Sequence, residues 1–294
     1  MKISIIITAK NEVRTIGQAV EGFLDEGLNS DDYEIIVVAP DRETLKKARL
    51  VSRKVKVIQD NGVGKAHAMN LAIREAWGDV LIFSDGDVRI QKNAVRNLVK
   101  NGGDAVSGRP DYGKINKDKR MFDFFQYVLF EKAHEIRLKR DTGGKFLLLS
   151  GYLFSVKREL LAGFKFPDNL LTEDEYLSYY LYHSGARINY EPTARVIVKG
   201  PSNYRDWVAQ KVRTLAGGYQ MPSEWKKGVE MRSFLKESLG LCGMWIRYVR
   251  SFRQVYYMSR LNLARVHVWL LAFIKVRLLK KKSSELWVRI GSTK

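Results

Sequence analysis

The feature that most constrains this chain is an alternation, over its first 108 residues, of short β-branched runs with amphipathic segments. Residues 3–7, 34–38, 55–58 and 80–83 read as strands, and residues 13–24, 42–51 and 64–77 between them carry helical spacing. That order predicts βαβ units, hence an α/β fold with a mostly parallel sheet flanked by helices. Each predicted strand runs out into polar or turn-forming residues: Ala9-Lys10-Asn11-Glu12, Pro40-Asp41, Asp60-Asn61-Gly62 and Asp85-Gly86-Asp87. The carboxyl ends of parallel strands share one edge of the sheet, where ligands bind, so these four loops are expected to converge on a site. After Gly108 the alternation stops. Residues 121–138 look helical, 146–155 strand-like, 170–185 like a loop entering a helix, and 194–198 like a further strand.

A chain of 294 residues accommodates one large domain, or one domain with an appendage. Cys242 is the only cysteine, which excludes an intrachain disulfide and a multi-cysteine zinc site and points to a reducing, cytoplasmic setting. The N-terminus turns polar too soon for a signal peptide and reads as a first strand. No apolar run reaches the roughly 18 residues of a membrane span. Charge is distributed unevenly: from Gly200 onward there are 19 Lys and Arg against 5 Asp and Glu, so most of the net +19 lies in that part. Beyond Met221 the chain reads as helical, basic and aromatic, with Trp225, Trp245, Tyr248, Phe252, Tyr256, Tyr257, Trp269 and Trp287 interleaved with Lys and Arg. This composition suits helices in a membrane interface, or ordinary surface helices packed on the domain.

Two carboxylates around one glycine, Asp85 and Asp87, follow the fourth predicted strand. Such a pair can hold a hard divalent cation, Mg²⁺ or Mn²⁺, that bridges to a diphosphate, although Asp and Gly are also common in solvated turns. Lys65 opens a helix beside Gly64, where both its charge and the helix N-terminus favour an anion such as a diphosphate. The run Thr172-Glu173-Asp174-Glu175 has the composition of a capped helix start. His67, His134, His183 and His267 show no spacing for a joint metal site.

Taken together, IIITAKNE, NGVGKAHAMNLAIREAWGDVLIFSDGDV (61–88) and LLTEDEYLSYYLYHSGARINYEPTARV (170–196) resemble the family-2 glycosyltransferases of the GT-A fold, with the blocks in family order. The resemblance covers roughly residues 1–220. It implies a glycosyltransferase domain over 1–220, with a nucleotide-sugar-binding half at 1–108 and an acceptor-binding half at 109–220, followed by a basic aromatic helical tail at 221–294. It implies an inverting enzyme that moves a sugar from a nucleotide-diphospho-sugar of UDP or GDP type to a hydroxyl or lipid-phosphate acceptor. Asp174 becomes the base, Asp87 the metal ligand with Asp85 as its partner, and Ala9, Glu12, Asp41, Lys65 and Asp85 the donor contacts. Gly151, Glu173, Gln210 and Arg213 fall to the acceptor.

Three departures matter. Thr214 stands where processive synthases carry Trp, which argues against a processive polymerase. Residues 37–41, Val-Val-Ala-Pro-Asp, replace the usual base-recognising aspartates, so the base contact shifts to Asp41 or is lost. Lys199 stands where some relatives carry a metal-binding His, leaving coordination to Asp87 and the diphosphate.

Three other readings compete. A sugar nucleotidyltransferase would need a glycine-rich, Arg-containing loop after the first strand, and ITAKNEVRT lacks the glycines. A basic nucleic-acid-binding protein is permitted by the tail, but no nucleic-acid module is visible and the acidic strand-end loops repel phosphate. An inactive scaffold is disfavoured by intact Asp85, Asp87 and Asp174. The expected partners are therefore a nucleotide sugar and a membrane surface or lipid-linked acceptor on the cytosolic face, with no nucleic acid.

Overall fold

The computed structural model describes residues 1–227, 229, 243–286 and 290–293; Cys242 and Trp287 lie outside the described residues. Contacts divide the chain into two compact units. The first comprises Met1–Asp111 and Arg137–Lys199, and the second Tyr112–Ile136 and Gly200–Thr293. This division falls elsewhere than the sequence-based boundaries at 108 and 220.

The first unit holds an eight-stranded mixed sheet. Strands β1 (Ile3–Thr8), β2 (Tyr33–Ala39), β3 (Val55–Gln59) and β4 (Val80–Asp85) are mutually parallel, with β1 between β2 and β4. With β5 (Val88–Ile90), β6 (Ala105–Asp111), β7 (Leu153–Lys157) and β8 (Ile188–Val198), the order is β3-β2-β1-β4-β7-β6-β8-β5. β7 is antiparallel to both β4 and β6, so the sheet is mixed. The connecting helices are α1 (Ile16–Leu24), α2 (Arg42–Val51), α3 (Lys65–Glu75) and α4 (Ala94–Asn101). Further along come α5 (Met121–Thr142) and α6 (Glu173–His183).

Side chains alternate across the pleat, which explains how one strand feeds two layers. Ile6, Ile36, Val38, Leu81 and Phe83 share a buried cluster with Met69 and Ala72 of α3 and Leu177 and Leu181 of α6. Phe83 stacks on Phe154 of β7 at 4.9 Å between ring centroids, joining the parallel and antiparallel parts of the sheet.

The parallel half matches the sequence reading, while the later part diverges from it. Of residues 146–155, only the end is a strand. Residues 146–150 make no ladder, because side chains take their backbone groups: Ser178 Oγ accepts from Leu149 N–H at 2.9 Å, and Ser107 Oγ from Ser150 N–H at 3.0 Å. A buried apolar run looks the same in either arrangement. The strand expected at 194–198 starts at Ile188, because residues 192–194 bulge out where the register jumps from Gly108↔Glu191 to Arg109↔Arg195. Pro192 sits in that bulge, where the missing N–H breaks no ladder bond. Strands β5 and β6 and helix α4 were not foreseen. The start of α4 is held from far away in sequence: the buried Glu26 carboxylate accepts from Ala94 N–H and Val95 N–H, each at 3.1 Å.

The second unit is helical. Its core joins Phe124, Phe125 and Val128 of α5 to Trp207, Val208 and Val212 of α7 (Tyr204–Gln220). Met258, Leu261, Ala264 and Val268 of a long helix, Phe252–Phe273, complete it. Asn203 caps α7, its side chain accepting from Asp206 N–H at 2.9 Å. Among the tail aromatics, Tyr248 and Tyr257 are buried in this core, whereas Phe252 and Tyr256 are exposed.

Candidate active site

The four parallel strands end in the four loops singled out by sequence. Register sets Thr8, at the end of β1, opposite Asp85, at the end of β4. Gly86 follows, its N–H donating to the Thr8 carbonyl at 2.9 Å. A Cβ on Gly86 would lie 2.7 Å from the Cβ of Ala9, so the glycine is needed for the close approach of the two strand ends. Asp85 and Asp87, on either side, are half-buried.

The loop after β1 is fastened by the start of α2. Asp41 caps that helix, one carboxylate oxygen accepting from Thr44 N–H at 3.0 Å and the other from Asn11 N–H at 2.7 Å. Burial alone would raise the Asp41 pKa, but the hydrogen bonds from Thr44 and Asn11 hold it below the ordinary carboxylate value. Asn11 adopts φ 56°, a left-handed turn that Asn tolerates. Thr44 Oγ1 accepts from Glu12 N–H at 2.9 Å, and buried Glu12 receives the Thr15 hydroxyl at 3.1 Å. Ala9, Glu12 and Asp41 thus form one tied loop system at the sheet edge.

Lys65, the first residue of α3, crosses to the fourth loop. Its Nζ lies 2.5 Å from Asp85 Oδ1 and 3.4 Å from the Gly151 carbonyl. Gly151 N–H in turn donates to Asp174 Oδ2 at 3.0 Å. A Cβ at residue 151 would also stand 3.0 Å from that oxygen, so a side chain there would have to displace the Asp174 carboxylate. Residues more than 100 positions apart in sequence are therefore linked in one chain, Asp85, Lys65, Gly151 and Asp174. Asp174 Oδ1 accepts no hydrogen bond among the described residues.

Burial alone would depress the Lys65 pKa, but the charges of Asp85, Glu173 and Asp174 outweigh it and hold the ammonium above the ordinary lysine value. Buried Glu173 moves the other way. Burial raises its pKa, Lys65 opposes, and Asp174 and Asp85 add to the rise. The site is thus a cation among carboxylates, one of them pushed toward its neutral form.

Thr172 was expected to cap α6, but its side chain makes no cap hydrogen bond; it reaches Glu175 at 3.4 Å instead. Sequence reasoning also missed Ser178, one turn beyond Asp174. Its hydroxyl donates to the Asp174 carbonyl at 2.6 Å while accepting from Leu149 N–H, so it ties α6 to the segment that presents Gly151. A serine inside a helix is the only trace of this in the sequence. Gln210 and Arg213 stand one turn apart on α7 and belong to the second unit.

The donor set can be tested against a divalent cation. Among the described residues, no three His, Cys, Asp or Glu gather as a metal-holding group. Asp85 has Oδ1 engaged by Lys65, and Asp87 stands two residues on in the same turn. Two hard oxygen donors at one turn fit a cation of the Mg²⁺ type, which takes one or two carboxylates and completes its shell with substrate phosphates and water.

The family model for glycosyl transferase family 2 matches residues 4–163. The chain belongs to glycosyltransferase family 2. The family-2 match contains every residue of the linked chain except Asp174, which lies just beyond it. Among curated relatives, a probable glycosyltransferase YdaM of Bacillus subtilis is 29% identical over 74% of this chain. A poly-β-1,6-N-acetyl-D-glucosamine synthase of Staphylococcus aureus is 25% identical, also over 74%. The chain spans 55% of the length of both relatives. Among solved structures, the mannosyltransferase PcManGT of Pyrobaculum calidifontis, in complex with GDP-Man and Mn²⁺, superposes with a TM-score of 0.67. It shares 18% identity, covering 96% of this chain and 88% of its own. TarS of S. aureus in complex with UDP-GlcNAc gives a TM-score of 0.50 at 16% identity, covering 97% and 88%. The fold of this family-2 chain is the GT-A fold.

Proposed function

We propose that the chain is an inverting, cation-dependent glycosyltransferase that moves a sugar from a nucleotide-diphospho-sugar to a hydroxyl or lipid-phosphate acceptor. The observation that carries this reading is the linkage of Asp85, through Lys65 and Gly151, to Asp174 at the carboxyl edge of the parallel strands. It joins the part of the site suited to a diphosphate to a carboxylate suited to be a base.

Asp174 receives the proton of the acceptor hydroxyl as that oxygen attacks the anomeric carbon. The bond from that carbon to the diphosphate breaks, and the nucleoside diphosphate leaves with the electron pair. Attack from the face opposite the leaving group inverts the configuration. The Gly151 N–H orients the base by holding Oδ2, which leaves Oδ1 to take the proton. Lys65 at the N-terminus of α3 adds positive potential for the departing diphosphate. Asp87, with Asp85, is the group that would hold a divalent cation, whose chemistry when bound is to neutralise charge developing on the leaving group. Ala9, Glu12 and Asp41 shape the donor side, and Gly151 and Glu173 the acceptor side. A phosphate acceptor is already ionised and would need the base far less.

PcManGT is in complex with GDP-Man and Mn²⁺, and TarS with UDP-GlcNAc. Both are nucleoside-diphospho-sugars, which supports the donor class and leaves the base open between guanine and uracil. Thermal shifts across UDP-, GDP- and dTDP-sugars, with and without Mn²⁺, test the reading. The true donor should raise the melting temperature chiefly when Mn²⁺ is present, by the linkage RT ln(1 + [L]/Kd). No shift with any donor in the presence of Mn²⁺ would remove the proposal.

A further inference from the structure

We infer that the outer face of the helix Phe252–Phe273 is a docking surface for an anionic lipid bilayer, on which the helix lies flat. The inference rests on the second unit alone and is independent of the transferase reading.

The helix has two apolar faces where an ordinary surface helix has one. Its inner face, including Met258, Leu261, Ala264 and Val268, is buried in the core of its unit. Polar contacts fix that face as well: Gln254 donates to Asp118 at 2.7 Å, and the Tyr257 hydroxyl to the Lys119 carbonyl at 3.0 Å. The opposite face carries Phe252, Tyr256, Leu263, Val266, Leu270 and Phe273 at successive helical spacings, all exposed. Phe252 is 95% exposed, Leu263 64% and Leu270 56%. Inner and outer sets lie half a turn apart, so the outward placement follows from the inner packing and not from a loose helix.

Charge selects the occupant. From residue 252 to residue 282 there is no Asp or Glu, while Arg253 and Arg260 lie beside the apolar face. Lys275 and Arg277 follow, and then the exposed run Lys280, Lys281 and Lys282. A stripe of aromatic and aliphatic side chains whose own segment, 252–282, carries Lys and Arg but no Asp or Glu complements the interface of a membrane rich in anionic headgroups. The apolar side chains enter the headgroup and acyl boundary while Lys and Arg meet phosphates. The helix is about 33 Å long. No helix among the described residues is long and apolar enough to cross a bilayer, so a parallel orientation is the one this helix can adopt. Leu278 and Leu279, both exposed, extend the apolar surface just before the lysine run.

Flotation of the full chain with phosphatidylcholine vesicles, with and without phosphatidylglycerol, tests the inference. The chain should float with the anionic vesicles at near-physiological salt and stay behind with the neutral ones. Two variants alter different halves of the surface at exposed positions and should keep the wild-type melting temperature. L263E/L270E should abolish flotation, and K280Q/K281Q/K282Q should weaken it by about fivefold per lysine removed. Flotation of either folded variant at wild-type level would overturn the inference, as would failure of the wild type to bind anionic vesicles. So would self-association of the wild type in sedimentation velocity that L263E/L270E removes, since the face would then be an interface between copies.

Discussion

The carboxyl edge of the parallel strands and the outer face of the helix Phe252–Phe273 use charge in opposite ways. At the strand edge, Lys65 is held among Asp85, Glu173 and Asp174, so each charge is placed by its neighbours and little of it faces bulk water. On the helix Phe252–Phe273 no Asp or Glu accompanies the arginines, which stand at the border of an apolar surface. A set of compensated, partly buried charges is pre-organised: it is strong, short-ranged and weakly screened by salt. An uncompensated exposed set acts only when an anionic surface arrives, and salt screens it readily. The first arrangement suits chemistry and the second suits attachment.

The largest effect is expected at Asp174. D174N keeps an oxygen to accept from Gly151 N–H but removes the base. With a hydroxyl acceptor, kcat should fall by roughly a hundredfold or more, with the melting temperature near wild type. Substantial residual turnover would point to a phosphate acceptor. Next in size is Gly151. G151A would bring a methyl group within 3.0 Å of Asp174 Oδ2 and turn the carboxylate from its position. A loss of about tenfold in kcat, larger than its effect on donor binding, is expected.

Glu173 sharpens the electrostatic half of the comparison through pH. Its folded pKa is raised by burial, so the native state retains a proton that the unfolded chain has released. The stability from this group is full below the ordinary glutamate pKa and is lost as pH rises through the raised value. E173Q should therefore gain in melting temperature relative to wild type on going from acid to neutral pH. A constant difference across that range would show that Glu173 is not buried among the charges described.

The smallest effect belongs to Asp41, where the bonds are local. D41A removes the α2 cap and the tie to Asn11. It should cost about 1 kcal/mol in chemical denaturation. Donor affinity should weaken with it if the loop after β1 contacts the nucleotide.

Legibility differed along the chain for a physical reason. The first four strands and their helices were visible because each is a continuous run that pairs with a neighbour through a short crossover. The same order predicted that the Asp85-Gly86-Asp87 turn would share an edge with the loops after Thr8 and Ala39. Past Gly108 the elements depend on partners distant in sequence. β8 is split by a bulge against β6, α4 is started by Glu26, and Leu149 and Ser150 give their N–H groups to serines instead of a strand.

Fold class, the sheet edge and the acidic residues on it were legible in the chain alone, because periodicity and turn chemistry are local properties. So was the acid-free run from 252 to 282. Contacts across the fold were needed to see that Lys65 joins Asp85 to Gly151 and so to Asp174, that Gly86 serves the approach of Ala9, and which face of the long helix looks outward. Those outcomes depend on which side chains meet across the fold, and contact between distant residues leaves no period in the chain.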